Sequence, residues 1–117
     1  MNNYKELKIW QKSVDLTVKI YESTKDFPRD KIYGLTSPIR RSAVSIPSNI
    51  AEGAGRNSNK EFNNFLGISN GSSCELETQL IIANRVAFLD EDILEDLQKD
   101  LMEIQKMNWA LQKSIVS

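Results

Sequence analysis

Apolar residues recur at three- and four-residue steps through four blocks of this chain, and nowhere do they alternate one by one between turn residues. That period is the helical one, so the chain is confined to helices packed on helices. In the first block Leu7, Trp10, Val14, Val18 and Tyr21 share one helical face and form the main line, while Ile9, Leu16 and Ile20 form a second line roughly opposite. One buried stripe does not explain both, which leaves the second line for another helix or a neighbouring subunit. Phe27-Pro28 ends the block, because a residue before proline is pushed out of the helical region.

The second block begins between Pro28 and Pro38, where Asp30 would suit a helix amino terminus. Leu35, Ile39, Ala43, Ile46, Ile50 and Ala54 make its core line. At about 100° per residue, Arg41, Ser45, Asn49, Glu52 and Arg56 line up on the other side. Two regular faces require the helix to continue through Pro47, which loses the bond to the Ala43 carbonyl and bends the helix. Gly53, Gly55 and Asn57 favour termination, and Ser58 followed by Glu61 has capping-box spacing.

The third block runs from about residue 59 to 87 along Phe62, Phe65, Leu66, Ser69, Ser73, Leu76, Leu80, Ala83 and Ala87. Gly67, Gly71, Cys74 and Thr78 make a separate face of small residues. A glycine inside a helix costs about 1 kcal/mol against alanine, a cost offset where a second helix approaches closely. Cys74 among them reads as a small buried hydrophobe. After an acidic link, Ile93, Leu97, Leu101, Ile104, Leu111 and Ile115 form the fourth stripe, with Met102, Trp109 and Val116 as a secondary one. Short links between helices make antiparallel neighbours. The expected architecture is therefore all-α: an antiparallel, up-down-up-down four-helix bundle spanning residues 1–117 as one domain. Its surplus apolar faces, including Trp10, Tyr21 and Trp109, favour a homo-oligomer.

Composition narrows the function. The chain has no histidine and one cysteine, which removes the commonest neutral-pH acid/base and any internal disulfide. No leader pattern and no uninterrupted apolar run of about 18 residues occurs, which points to a cytoplasmic, non-membrane protein. The formal net charge of −1 conceals an uneven distribution. Residues 31–56 set Lys31, Arg40, Arg41 and Arg56 against Glu52 alone, whereas residues 88–117 set seven acids against three lysines. Such asymmetry organises interfaces or orients subunits.

The stretch NIAEGAGR at 49–56 lacks the context of a dinucleotide or phosphate loop and reads as a helix end. Ser45, Asn49 and Glu52 share a helical side without a histidine base to activate a serine, so they read as structural or partner-facing. Arg40 and Arg41 project about 100° apart. Arg41 belongs to the polar stripe, and Arg40 lies where it could reach an acid such as Glu75 or Glu77 of the third helix, or one on another subunit. Those two glutamates are themselves too far apart around the helix for a paired-carboxylate site, and a dinuclear metal bundle would need several inward carboxylates and usually histidines. Neither cofactor nor metal is expected, and no enzyme activity.

The segments YKELKIWQKSVDLTVKIYESTKDFP, YGLTSPIRRSAVSIPSNIAEGAGR and EFNNFLGISNGSSCELETQLIIA carry a further signal. Together they resemble, over residues 4 to about 89, the bacterial four-helix-bundle family encoded in 23S rRNA intervening sequences, historically the S23 ribosomal protein family. The resemblance implies a homopentameric ring. It also implies a relation to the accessory variability protein of diversity-generating retroelements, which associates with reverse transcriptase and nucleic acid through a basic surface. Arg40, Arg41 and Arg56 are the matching basic positions. The expected role is thus a non-enzymatic, self-assembling scaffold or interaction protein. The alternative is a nucleic-acid-associated accessory protein, with RNA, DNA or a protein partner met by Arg40, Arg41, Ser45, Asn49, Glu52 and Arg56.

Overall fold

Four helices follow the four periodic blocks: α1 Lys8–Thr24, α2 Thr36–Ala54, α3 Asn59–Arg85 and α4 Glu91–Ile115, with a short 3-10 turn at Tyr4–Glu6 before them. The computed structural model describes residues 3–29 and 34–115, so the expectations for Asp30 and Val116 fall outside the described residues. Among the described residues every regular element is helical.

The helix ends follow local chemistry. The Ser58 hydroxyl accepts from the Glu61 backbone N–H at 3.2 Å. The Glu61 carboxylate accepts from that same hydroxyl at 3.3 Å, so the box closes through the side chains. α3 stops at Arg85, two residues short of the expected end, where Phe88 N–H donates to the Ala83 carbonyl at 2.8 Å and Ala87 N–H to Asn84 at 3.0 Å. This double bond pattern needs a left-handed residue at its turn, and Ala87 sits there with φ 66°. An L-residue pays roughly 1–2 kcal/mol for that conformation, which exceeds the extra chain entropy glycine loses. Ala87→Gly is therefore expected to stabilise the protein by about 0.5–1 kcal/mol, read as a higher urea midpoint; a lower midpoint would contradict the reading.

Consecutive helices pack side by side and α1 closes on α4, while α1 and α3, and α2 and α4, make no close backbone approach. The core line of α2 is as expected, with Ile39, Ala43, Ile46, Ile50 and Ala54 all buried. In α1 the order of the two lines is reversed: Ile9, Leu16 and Ile20 face the core, whereas Val18 and Tyr21 are exposed. The reason is that Ser13 and Thr24 complete the buried face, their hydroxyls donating to the Trp10 and Ile20 carbonyls at 2.9 and 2.8 Å. In α4, Leu94 replaces the expected Ile93 at the core, and Asn108 occupies a buried position by donating to the Leu66 carbonyl at 2.9 Å.

Each seam between neighbouring helices has its own polar contacts. Between α1 and α4, Lys12 pairs with Glu103 at 2.9 Å, and Lys19 reaches Asp96 at 2.7 Å and Asp100 at 2.6 Å. The hydrogen bonds to Asp100 and Asp96 raise the Lys19 pKa, the bond to Glu103 raises that of Lys12, and the bond from Lys19 lowers that of Asp96. Between α3 and α4, Gln105 donates to Ser73 and Gln112 to the Asn63 carbonyl, each at 3.3 Å. Between α2 and α3, Ser69 donates to the Ile46 carbonyl at 3.0 Å. Between α1 and α2, the Thr17 hydroxyl lies 3.1 Å from the Ala43 carbonyl, the group that Pro47 leaves without its helical donor.

Candidate functional site

The polar face expected along α2 separates into three environments. Ser45 and Asn49 are consumed in the α2–α3 seam: Asn49 Nδ2 donates to the Ser45 carbonyl at 2.8 Å and to its Oγ at 2.9 Å, and that Oγ lies 2.8 Å from Ser72 Oγ. At the far end, Arg56 is compensated by Glu52 at 2.9 Å and Glu61 at 3.5 Å, and its guanidinium stacks 4.8 Å from the Phe65 ring centre. Arg56 is therefore drawn away from Arg40 and Arg41 in both place and charge.

Arg40 and Arg41 remain, and they point differently. Arg41 is exposed and, among the described residues, donates only to Ser37, one turn back, at 3.1 Å. Arg40 does not reach Glu75 or Glu77. It lies on the α1 side of α2, where Nε donates to Thr24 Oγ1 at 2.9 Å and Nη2 to the Tyr21 carbonyl at 3.2 Å. Its guanidinium sits 4.5 Å from the Tyr21 ring centre. All of these partners are neutral, so the group is oriented without an acidic partner among the described residues.

Around them is an open groove of about 1200 Å³ where the end of α1 meets the start of α2. Lys25 and Arg29 join Arg40 and Arg41 on its walls, Tyr21 and Val44 supply apolar surface, and among the described residues no carboxylate lines it. Among the described residues no acid pairs with Arg40 or Arg41. Four like charges around a concave wall focus a positive potential, and the amino terminus of α2 adds to it. Lys25 and Arg29 were not among the sequence candidates. Their signal is positional, since they flank the Phe27-Pro28 break at which the chain folds back onto Arg40.

The second unusual surface is apolar. Val18 is 54 % exposed and Tyr21 44 %, so the outer line of α1 is presented to solvent together with Val44 of α2. Across the molecule, Met102 and Trp109 of α4 are 56 % and 62 % exposed. Beside them α3 shows Gly67, Gly71, Thr78 and Cys74, all exposed, which corrects the expectation of a buried cysteine. No helix of this chain covers that stripe: a methyl group at Gly71 would meet nothing within 4 Å. Large apolar side chains displayed in lines on two sides are the mark of an interface rather than of isolated surface residues.

Among the described residues no three His, Cys, Asp or Glu side chains converge to hold a metal ion, and no helix is long and apolar enough to cross a membrane. The groove sets Ser37 and Ser45 among cations, and among the described residues no lining carboxylate stands by to take a proton from either hydroxyl.

Comparison with known proteins agrees with this geometry. Residues 5–110 match the family model described as 23S rRNA-intervening sequence protein. No curated protein matches the chain. A similar solved structure is a protein of unknown function from the S23 ribosomal protein family of Bacteroides thetaiotaomicron VPI-5482, determined at 1.70 Å resolution. It is 26 % identical, covers 90 % of this chain and 98 % of its own, and superposes with a TM-score of 0.81. Neither description carries an enzymatic activity.

Proposed function

The chain belongs to the family of 23S rRNA-intervening sequence proteins, and on that premise we propose that it is a non-enzymatic, self-assembling interaction protein. The observation that carries this reading is the outer line of α1, where Val18 and Tyr21 stay exposed on a face whose other members, Trp10 and Val14, are only half-buried. Burying a side chain of this size is worth about 1.5–3 kcal/mol, so a line of them left in water favours association. The opposed run of Lys12 to Glu103 and Lys19 to Asp96 supports an up-down-up-down course. Such a unit has two distinct long sides to offer to its neighbours, and the assembly proposed is a homopentameric ring. Light scattering is expected to return about five times the 13.3 kDa chain mass. A species of 13.3 kDa at every concentration tested would overturn the assembly reading.

A second reading is favoured by the groove. Arg40 and Arg41, which have no acidic partner among the described residues, give a nucleic-acid phosphate backbone a cationic seat together with Lys25 and Arg29. Arg56 is left out of this surface because Glu52 and Glu61 hold it. Binding of single-stranded RNA or DNA that weakens steeply with salt is the expected result. Absence of binding at low salt would remove this reading without touching the first.

A further inference from the structure

We infer that the partner of the α1–α2 groove is the α3–α4 side of a second copy of this chain, with the groove cations receiving Glu91 and Glu95 of that copy. The inference rests on the self-assembly reading and specifies which surfaces meet. It starts from how the acids of α4 are used. Asp96, Asp100 and Glu103 are engaged by Lys19 and Lys12 of the same chain. Glu91 and Glu95 are exposed, and among the described residues neither has a cationic partner.

Helical phase then groups them. At about 100° per residue, Glu91, Glu95, Met102 and Trp109 fall on one side of α4. That side is turned away from the lysines of α1 and lies next to Gln105 and Gln112, which bond α3. The neighbouring surface of α3 is the exposed small-residue stripe, and a methyl at its Gly67 would lie 3.8 Å from Gln112. This side of the molecule is thus acidic at the start of α4, apolar along Met102 and Trp109, and shallow where the glycines stand. The α1–α2 side has the complementary order. It is cationic where α1 ends and α2 begins, with Tyr21 and Val44 in the same groove, and apolar from there along Val18, Val14 and Trp10 of α1.

The ends are also in register. The Phe27 and Phe88 rings meet edge to face at 5.8 Å, which places the end of α1 and the approach to α4 at the same end of the molecule. Two copies set side by side in the same sense therefore bring cations to acids, and set Met102 and Trp109 near the heights of the half-buried Val14 and Trp10, the heights being fixed by the Lys12–Glu103 and Lys19–Asp96 pairs. Pairing either side with itself leaves both charge clusters unmatched, which electrostatic complementarity disfavours. The long sides also suffice in size: the molecule measures 45 × 26 × 19 Å, room for the roughly 800 Å² per partner of a stable interface. Joining unlike faces is a head-to-tail contact, the kind that closes into rings.

Charge reversal tests the pairing. Lys25 and Arg41 make no contact across the fold among the described residues, so the double variant Lys25→Glu/Arg41→Glu is expected to fold with wild-type helicity by circular dichroism. At low salt it should self-associate about 100-fold more weakly, as should Glu91→Arg/Glu95→Arg. Combining all four changes in one chain restores the attraction with its sign exchanged and is expected to recover assembly to within about tenfold of wild type. Folded double variants that assemble like wild type would overturn the inference and leave the self-assembly reading standing. Double variants that dissociate without recovery in the fourfold chain would overturn the pairing as well. A wild-type chain that is monomeric throughout would overturn both readings.

Discussion

Gly53→Ala is expected to destabilise the protein by about 2 kcal/mol, although alanine is the better helix former. Gly53 is the penultimate residue of α2 and packs directly against Phe62 and Phe65 of α3. A Cβ added there would stand 2.6 Å from Phe65 Cβ, 3.0 Å from Phe62 Cδ1 and 3.2 Å from the Phe62 carbonyl. The first and last of these are backbone or backbone-fixed atoms, so no rotamer change relieves them and the helices must separate. Overpacking of this kind costs about 1–3 kcal/mol or more, and the upper part of that range applies because rigid atoms are involved. The gain in helix propensity, about 1 kcal/mol, offsets only part of it. Gly71→Ala supplies the contrast, since its added methyl meets nothing and keeps the whole propensity gain when the chain is monomeric. Urea denaturation should show a lower midpoint for the first variant and a higher one for the second. An unchanged or raised midpoint for Gly53→Ala would mean that α2 and α3 are not in this close contact.

That contact explains why the NIAEGAGR stretch was only partly legible. Two glycines close to Asn57 suggest a helix end, and α2 does end at Ala54, with Gly55 following in ordinary right-handed conformation at φ −81°. The other purpose of Gly53 depends on Phe62 and Phe65 arriving from the next helix, which local spacing does not encode. The same division runs through the chain. The α2 core line and the passage of the helix through Pro47 follow from period alone. Which of the two lines of α1 faces the core is not legible from apolar spacing, because hydroxyl groups satisfied within the helix behave as core residues and Ser13 and Thr24 complete the buried face. The more apolar line is the outward one, with Val18 and Tyr21 exposed. At the candidate site, the arginine types were visible and their fates were not. Glu61 and Phe65 take Arg56, while Thr24 and Tyr21 take Arg40, all from neighbouring helices. The groove itself exists because Lys25 and Arg29 come back beside α2.

Thr17→Val is expected to cost about 1–2 kcal/mol in the native chain and distinctly less when Pro47 is also replaced by alanine. Pro47 has no N–H, so the Ala43 carbonyl loses the donor it would have had one turn later. The Thr17 hydroxyl stands 2.8 Å from the Ser13 carbonyl and 3.1 Å from that of Ala43, and its single proton is shared between them. The Ser13 carbonyl keeps its helical partner without it; the Ala43 carbonyl does not. Valine has nearly the same volume and no hydroxyl, so the substitution removes the donor with little change in packing. An unpaired, largely buried acceptor costs about 1–3 kcal/mol, which is more than the net worth of the bond that satisfied it. Alanine at 47 returns an N–H to the Ala43 carbonyl and makes the threonine dispensable. Pro47→Ala also loses ring packing, so its own effect carries no weight here. The informative quantity is the coupling in a double-mutant cycle, expected near 1 kcal/mol and measured from urea midpoints of the four proteins. Strictly additive effects would show that the helix tolerates its proline by some other means than this hydroxyl from α1.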